Sequence, residues 1–411
     1  MAVSLFGHKT QALLRGQRTA LDAEHVALMT SRQGAVWIHA ASVGEFEQAR
    51  PLIERLRREQ PQRKIVVTFF SPSGYEARQH YPHADAVLYL PFATRRKARR
   101  FLDALQPSMA IFVKYEFWPA YLRELKKRGI PTYSISAIFR PEQRFFHWYG
   151  KGALRLLRCF THIYVQDENS RRLLAEHGVH DCSVAGDTRF DRVNEVFTST
   201  RERVDGRLLP IAQFVENTEH VLVAGSTWPE DERLLAQFVE RVNEFTNERV
   251  KLILVPHEIN EAHLHTIFQL FKGRYVQYSS LAGEQVSTPG MSRLNILQQA
   301  DVMVIDTIGL LSSIYNFGHA AYIGGGFGEG IHNTIEAAVY GMPVVFGPNY
   351  HHFREAQGLI DAGAARSIKN YSELEAALTT ALDEHETIGA KAAAYVQSEL
   401  GATDKIYKDL F

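Results

Sequence analysis

Two cysteines, Cys159 and Cys182, are all that a chain of 411 residues carries, and they form no CxxC pair. That count excludes a disulfide framework and fits a reducing compartment, so a cytoplasmic address is the expectation. Long apolar runs are missing as well. The N-terminal stretch MAVSLFGHKTQALLRGQR has no uninterrupted apolar core, and no run approaches the ~18 residues that would cross a bilayer, so neither a signal peptide nor a membrane-spanning helix is expected. There is no excess charge of either sign: 46 basic and 46 acidic residues leave a net charge of +0, which removes the global field that would favour nucleic acid. None of the 18 histidines falls at a zinc-site spacing, and no paired acids resemble a metal-binding motif, so neither metal nor cofactor is expected.

What is present is alternation. Short β-branched runs bounded by Gly, Pro or Ser alternate with stretches of helical period, the pattern of βαβ units and parallel sheets. Strands are expected at Val36–Ala40, Lys64–Phe69, Ala86–Leu90, Met109–Val113, Thr132–Ser136 and Thr161–Val165, with helices such as Phe46–Arg58 and Ala120–Arg128 between them. A polar stretch from Asn194 to Asn217 interrupts the pattern. It restarts at His220–Ala224 and continues through Val250–Val255, Arg274–Tyr278, Val302–Ile305, Ala320–Ile323 and Val344–Phe346, with Leu281–Met291 reading as a loop. The fold class is therefore α/β, as two Rossmann-like domains, 1–200 and 201–411, facing a central cleft, with the last helix able to return to the first domain. Ligands are expected at the carboxyl ends of the strands.

The run AAYIGGGFGEGIHNTIEAAVYGMPVVFGP is the strongest local signal. It reads as strand, glycine-rich turn, short helix, a stop at Gly341 and a further strand. Gly324, Gly325 and Gly326 would let a ligand approach the backbone, and free N–H groups at a helix start suit a phosphate. Counting from Gly324 or Gly326 puts Glu329 or Ile331 where G-x-G-x-x-G needs its last glycine, and no GK[ST] follows, so dehydrogenase and NTPase readings lose ground. Glu336 lies three residues after Asn333, so a helix cap and a ribose-binding acid are both open on spacing alone.

Gly324–Gly326, His332–Asn333, Glu336–Ala338, Gly341–Pro343 and Gly347–Pro348 together resemble the donor signature of GT-B glycosyltransferases, and more specifically of the 3-deoxy-D-manno-octulosonic acid (Kdo) transferases. HAASVGEF (39–46), VTFFSPSGYEAR (67–78), YEFWPAYL (115–122), VQDENSRRLL (165–174), GDTRFD (186–191), AGSTWPEDE (224–232) and DTIGLL (306–311) extend the resemblance over nearly the whole chain. It implies inverting, metal-independent transfer of Kdo from CMP-Kdo to a lipid A precursor, lipid IVA, in lipopolysaccharide synthesis. It implies Glu45 as general base. It also implies a donor set of Ser226, Thr227, His257, Gly325, Gly326, Asn333 and Glu336 and an acceptor set of Ser42, Gly44, Ser73, Gly74 and Glu116. The sequence departs from the family pattern at Pro256–His257–Glu258 and at Leu310, and the apolar N-terminal anchor usual in the family is expected to be absent or shortened.

Ser42-Val43-Gly44-Glu45 is also an S-x-x-E capping box, and a helix N-terminus weakens a carboxylate as a base unless burial opposes it. Phe139–Phe160 mixes Arg140, Arg144, Lys151, Arg155 and Arg158 with Phe145, Phe146, Trp148 and Tyr149, which suits peripheral contact with the inner membrane's cytoplasmic surface through Phe146 and Trp148. Arg95, Arg96, Lys97, Arg99 and Arg100 read equally as a solvated helix face. His39 and His351–His352 are weak cleft candidates, and His263 and His265 read as packing or surface residues. No nucleic-acid motif accompanies the aromatic and basic residues. Another nucleotide-sugar enzyme, a UDP-sugar transferase or an epimerase, is the alternative activity, and a non-catalytic nucleotide-sugar regulator is a third.

Overall fold

The computed structural model describes residues 8–202, 205–246, 249–281 and 293–411. Of the stretch read as a loop, Leu281–Met291, all but Leu281 lies outside the described residues. The chain divides into two compact units, residues 1–192 with 399–411, and residues 193–398. The division falls within the helix Thr188–Glu202, upstream of the polar stretch that marks the junction in the sequence.

The first unit is built on seven strands: β1 (Val36–Ala40), β2 (Ile65–Phe69), β3 (Ala86–Tyr89), β4 (Met109–Val113), β5 (Thr132–Ala137), β6 (His162–Val165) and β7 (Cys182–Val184). They lie in the order β3-β2-β1-β4-β5-β6-β7, and every neighbouring pair is parallel. Parallel pairing needs long crossovers that cover both faces of a sheet, which is why strands such as VWIHA and MAIFV are buried at every residue. Alternation along β1 sends Val36, Ile38 and Ala40 into a core with Phe46, Leu52 and Ile111, and Trp37 into the opposite core with Phe101, Phe112 and Tyr121. The final helix, Ala402–Leu410, packs Ile406 and Tyr407 into the first of these cores. Asp191 fixes its start, accepting the Gly401 and Thr403 N–H groups at 2.7 Å each.

The second unit repeats the logic with β8 (His220–Thr227), β9 (Val250–Pro256), β10 (Tyr275–Gln277), β11 (Val302–Val304), β12 (Ala320–Ile323), β13 (Val344–Phe346) and β14 (Ala365–Ser367). The order is β10-β11-β9-β8-β12-β13-β14, again parallel throughout. Both sheets reverse their strand order beside one strand, between β1 and β4 in the first and between β8 and β12 in the second. The loops leaving those strands diverge to opposite faces and open a crevice at the carboxyl edge. β7 and β14, absent from the sequence reading, are edge strands of three residues each, CSV and ARS, without the apolar run that marks a central strand.

Candidate active site

In the first unit, the chain leaving β1 turns at Ser42, an extended N-cap whose hydroxyl accepts the Glu45 N–H at 3.4 Å and opens the helix Val43–Glu59. Glu45 turns back in return, and its Oε2 accepts the Ala41 N–H at 2.6 Å. The capping geometry is therefore real, though its backbone partner is Ala41, one residue earlier than a standard box. It does not leave an ordinary carboxylate. Burial pushes the Glu45 pKa up, the Glu116 charge pushes it further, and the Ala41 N–H, Lys114 and the Ser42 N–H oppose; the balance lies at about 7. Burial thus outweighs the helix terminus, and Glu45 has the proton affinity of a base that works near neutrality.

Glu116 follows β4, and its Oε2 accepts the Trp118 indole N–H at 2.5 Å and lies 3.1 Å from His39 Nε2. Ser73 and Gly74 follow β2 in the short helix Pro72–Arg78, where Ser71 caps the Gly74 N–H at 3.0 Å. Ser73 is exposed, whereas a Cβ on Gly74 would stand 2.6 Å from the Phe69 ring, so that glycine serves packing. Gly44 is exposed, with open space where a Cβ would be. Behind this edge lies Asp187 of the GDTRFD run, whose role is not legible in the sequence. It is wholly buried. Burial pushes its pKa up, but the Arg189 guanidinium, bonding Oδ2 at 2.7 and 2.9 Å, holds it below the usual range.

In the second unit, β8 ends with Ser226 at φ 53, in the left-handed region, and with a buried Thr227 whose hydroxyl donates to Glu232 Oε1 at 2.9 Å. Glu232 Oε2 in turn meets His263 Nε2 at 2.9 Å, so His263 is a built partner of the site's edge and not a stray packing residue. Burial pushes Glu232 above the usual carboxylate range even with these contacts. Asp231 ties the two central strands together. Its buried carboxylate accepts the Tyr322 hydroxyl at 2.7 Å and the Gly325 and Trp228 N–H groups at 2.9 Å each, and burial still raises its pKa.

The glycines hold the backbone against itself. A Cβ on Gly324 would lie 2.3 Å from the Ser226 carbonyl oxygen, and one on Gly326 would lie 2.6 Å from the Gly347 backbone. At Gly325, φ is +91 and a Cβ would meet the Gly330 oxygen at 2.5 Å. The reading that these glycines clear space for a ligand is corrected for Gly324 and Gly326, whose space is filled by this chain's own main chain, whereas Gly325 also lines the pocket beside the turn. The following helix is corrected too, because it spans only Ile335–Ala338 and the Ile335 N–H is already taken by Asn333 Oδ1 at 3.1 Å. Asn333 Nδ2 donates to Glu336 Oε1 at 2.9 Å, so these two form a side-chain pair and not the reciprocal backbone cap that their spacing allowed.

Beside the turn lies a pocket of about 730 Å³, lined by Trp228, Asp231, His257, Gly325, Phe327, Gly328, His332 and Phe353 among others. One wall is a stack of rings: Trp228 on His257 at 4.9 Å and 25°, and His257 on His332 at 4.4 Å and 26°. The Trp228 indole donates to His332 Nε2 at 3.2 Å, and burial, with His257 alongside, pushes the His332 pKa down to about 4, so the stack is a flat surface with His332 neutral. Of the donor set, His257 and Gly325 line this pocket; Ser226, Thr227, Gly326, Asn333 and Glu336 surround the strand ends without lining it. Trp228 and His332 were legible only as parts of quoted motifs.

Residues 15–192 match the family model described as 3-deoxy-D-manno-octulosonic-acid transferase (kdotransferase). Curated 3-deoxy-D-manno-octulosonic acid transferases match far beyond that stretch. The one from Aquifex aeolicus is 26% identical over 87% of this chain and 88% of its own, and the one from Rickettsia prowazekii is 26% identical over 93% and 80%. The chain is similar to the Kdo transferases over most of its length. Among solved structures, UDP-GlcNAc 2-epimerase from Neisseria meningitidis, bound to UDP-GlcNAc, superposes with a TM-score of 0.63 at 15% identity, covering 92% of this chain and 99% of its own. Acinetobacter baumannii MurG gives 0.56 at 13%, covering 92% and 99%. At these identities the likeness is one of fold, and that fold is GT-B.

The aromatic and basic segment divides against the expectation. Phe139, Phe145 and Phe160 are core, and Phe146 packs on Phe139, Phe145 and His177, whereas Trp148 and Tyr149 are 85% and 62% exposed. Any surface contact made by this segment thus falls to Trp148 and Tyr149, not Phe146. Arg95, Arg96, Arg99 and Arg100 are exposed on the helix Arg95–Leu105, Arg99 pairing with Glu124 at 3.4 Å. His351 and His352 are exposed and His265 lies on the surface beside Gln269. Among the described residues no helix is long and apolar enough to cross a membrane, and no three His, Cys, Asp or Glu side chains converge as a metal site.

Proposed function

We propose that the chain transfers Kdo from CMP-Kdo to a hydroxyl of a phosphorylated lipid A precursor such as lipid IVA, with inversion at the anomeric carbon and without a metal or cofactor. The observation that carries this reading is Glu45: a carboxyl with a pKa of about 7 at the carboxyl edge of β1, beside the strand-order switch. As CMP leaves and the anomeric carbon gains positive character, Glu45 takes the proton of the attacking hydroxyl while its oxygen forms the new glycosidic bond. The first unit then serves the acceptor, through Ser42, Gly44, Ser73 and Glu116 on the segments that follow β1, β2 and β4, with Gly74 keeping the β2 segment packed on Phe69. The second serves the donor, with the Trp228–His257–His332 stack against the nucleotide and the Asn333–Glu336 pair toward its ribose. The kinship with Kdo transferases from several bacteria supports the choice of sugar. Work at the cytoplasmic face of the inner membrane follows from such an acceptor.

Glu45→Gln keeps the shape and tests the base: folding and CMP binding should survive while kcat falls by ~10²–10⁴-fold, the usual worth of a general base. Near-normal kcat in that variant refutes the assignment, and loss of activity in EDTA refutes metal independence. The fold neighbours favour a second reading, a UDP-sugar enzyme such as an epimerase. A thermal-shift comparison of CMP, UMP, UDP and GDP separates the two: stabilisation by CMP above the rest supports the transferase, and a preference for UDP supports the alternative.

A further inference from the structure

His263 reads in the sequence as a packing or surface residue, yet its imidazole is bonded at both nitrogens between the two strand ends that carry the ring stack. The helix Glu261–Leu270 opens on Asn260, whose Oδ1 accepts the His263 N–H at 2.9 Å and fixes where the side chain starts. From there Nδ1 lies 2.8 Å from the Glu258 carbonyl oxygen, and Nε2 lies 2.9 Å from Glu232 Oε2. The other oxygen of Glu232 accepts the Thr227 hydroxyl at 2.9 Å, and the His257 N–H donates to the Thr227 carbonyl at 3.0 Å. A closed circuit therefore runs from Thr227 through Glu232 and His263 to Glu258, and back through His257 to Thr227. Trp228 follows Thr227 directly and His257 precedes Glu258, so both members of that stacked pair are mounted on the circuit.

These contacts fix a proton count. The Glu258 carbonyl oxygen only accepts, so Nδ1 carries a hydrogen. A lone pair at Nε2 would then face a carboxylate oxygen at 2.9 Å, so one further proton lies between Nε2 and Oε2. The opposite tautomer does not remove the need, because Nδ1 would then turn a lone pair to the carbonyl. Nor does the Thr227 hydroxyl, which sits on the other carboxylate oxygen. Glu232 is fully buried and His263 nearly so, and Asp231, beside Glu232 on the same helix, adds like charge that raises the proton affinity of Glu232. A proton held there makes a charge-assisted bridge, about twice as strong as a neutral hydrogen bond. We propose that His263 is a positioning residue for the donor: with Glu232 it forms a proton-bridged clamp that holds the ends of β8 and β9 at the spacing the Trp228–His257 stack requires. Its role toward the donor rests on the reading of that stack as the nucleotide wall. Thr227, whose buried hydroxyl is taken by the clamp, then serves the donor through the placement of Trp228 and not by side-chain contact.

His263→Gln and His263→Asn each keep one half of the clamp, the first by donating to Glu232 and the second by donating to Glu258. Both should raise the donor KM and the Kd for CMP by about tenfold, while kcat at saturating donor stays within about twofold, because what is lost is the placement of a binding wall. Lower stability with donor KM and CMP affinity unchanged would overturn the proposal and leave His263 a packing residue, and so would a fall in kcat at unchanged KM. Nitrogen-15 NMR of the imidazole in the native protein needs neither activity nor a folded variant. A hydrogen on Nδ1, with Nε2 protonated or sharing a proton with Glu232, supports the clamp, and a neutral ring with an unbonded lone pair at either nitrogen overturns it. Trp228→Ala, measured alongside, reports on the wall itself. If CMP binds that variant as tightly as the native protein, the nucleotide reading has failed and the donor role of His263 with it, whereas the NMR result on the clamp is unaffected.

Discussion

Tyr322→Phe removes a single oxygen from the middle of the second unit and leaves its packing in place. The ring is fully buried on β12, and its hydroxyl donates to Asp231 Oδ1 at 2.7 Å, one of three donors that the carboxylate accepts. A hydrogen bond to a charged buried group contributes about 1.5–3 kcal/mol net, and the two backbone donors, both on Oδ2, cannot replace it. For a unit of this length each kcal/mol corresponds to about 2–4 °C, so its Tm should fall by about 3–12 °C. The deficit should also depend on pH with a definite sign. The Asp231 pKa is raised in the folded state, so its ionisation works against folding as pH rises, and loss of the phenol donor raises that pKa further. The variant should therefore be most impaired at pH 8 and approach wild type toward pH 4. Calorimetry at both pH values measures this, and hydrogen exchange at the Gly325 amide, which shares Asp231, assigns the loss to the second unit in a chain whose two units can unfold separately. A Tm unchanged within about 1 °C at pH 8, or a deficit that grows on acidification, would refute the reasoning.

Asp191→Ala should destabilise the first unit by about 1–2 kcal/mol and expose the Ala402–Leu410 helix to proteolysis, because two N–H groups at its start lose their acceptor. Gly324→Ala should lower stability by about 1–3 kcal/mol, read by urea unfolding, since its Cβ would collide with the Ser226 carbonyl. His332 is held at about 4 in the folded state against an ordinary value near 6.5, so the unfolded chain gains its proton first on acidification. The urea midpoint should fall from pH 7 to pH 5, and His332→Gln should reduce that fall. Trp148→Ser with Tyr149→Ser should weaken sedimentation with anionic liposomes by several-fold, while Phe146→Ser should act through stability instead.

The sheets were legible because central parallel strands are buried on both faces and read as apolar runs. Each expected strand lies within a residue of its observed span, from VWIHA to VVF, except His220–Ala224, which runs on to Thr227. Two of the four edge strands, β7 and β14, escaped because they are three residues long and carry no apolar run, Arg366 in β14 being exposed. Spacing also located the capping geometry at Ser42 and Glu45, since a cap is a relation between residues three apart.

Burial, in contrast, is set by residues far apart in sequence, and it decides the chemistry of both edges. Glu45 and Glu116 are ordinary acids in the sequence; only the pairing of β1 with β4 places one charge where it raises the other's pKa. The same holds for the glycine-rich turn. Its composition fits a ligand cradle and a backbone crossing equally, and the difference lies in Ser226 and Gly347, the residues that occupy the space a Cβ would need. The three glycines therefore determine how closely β8, β12 and the segment after β13 approach, and through Gly325 they set the wall on which His257 and His332 stack. A substitution there should change donor binding by moving that wall, and its effect on affinity should track its effect on stability. Mutating an exposed contact such as Trp228 should uncouple the two.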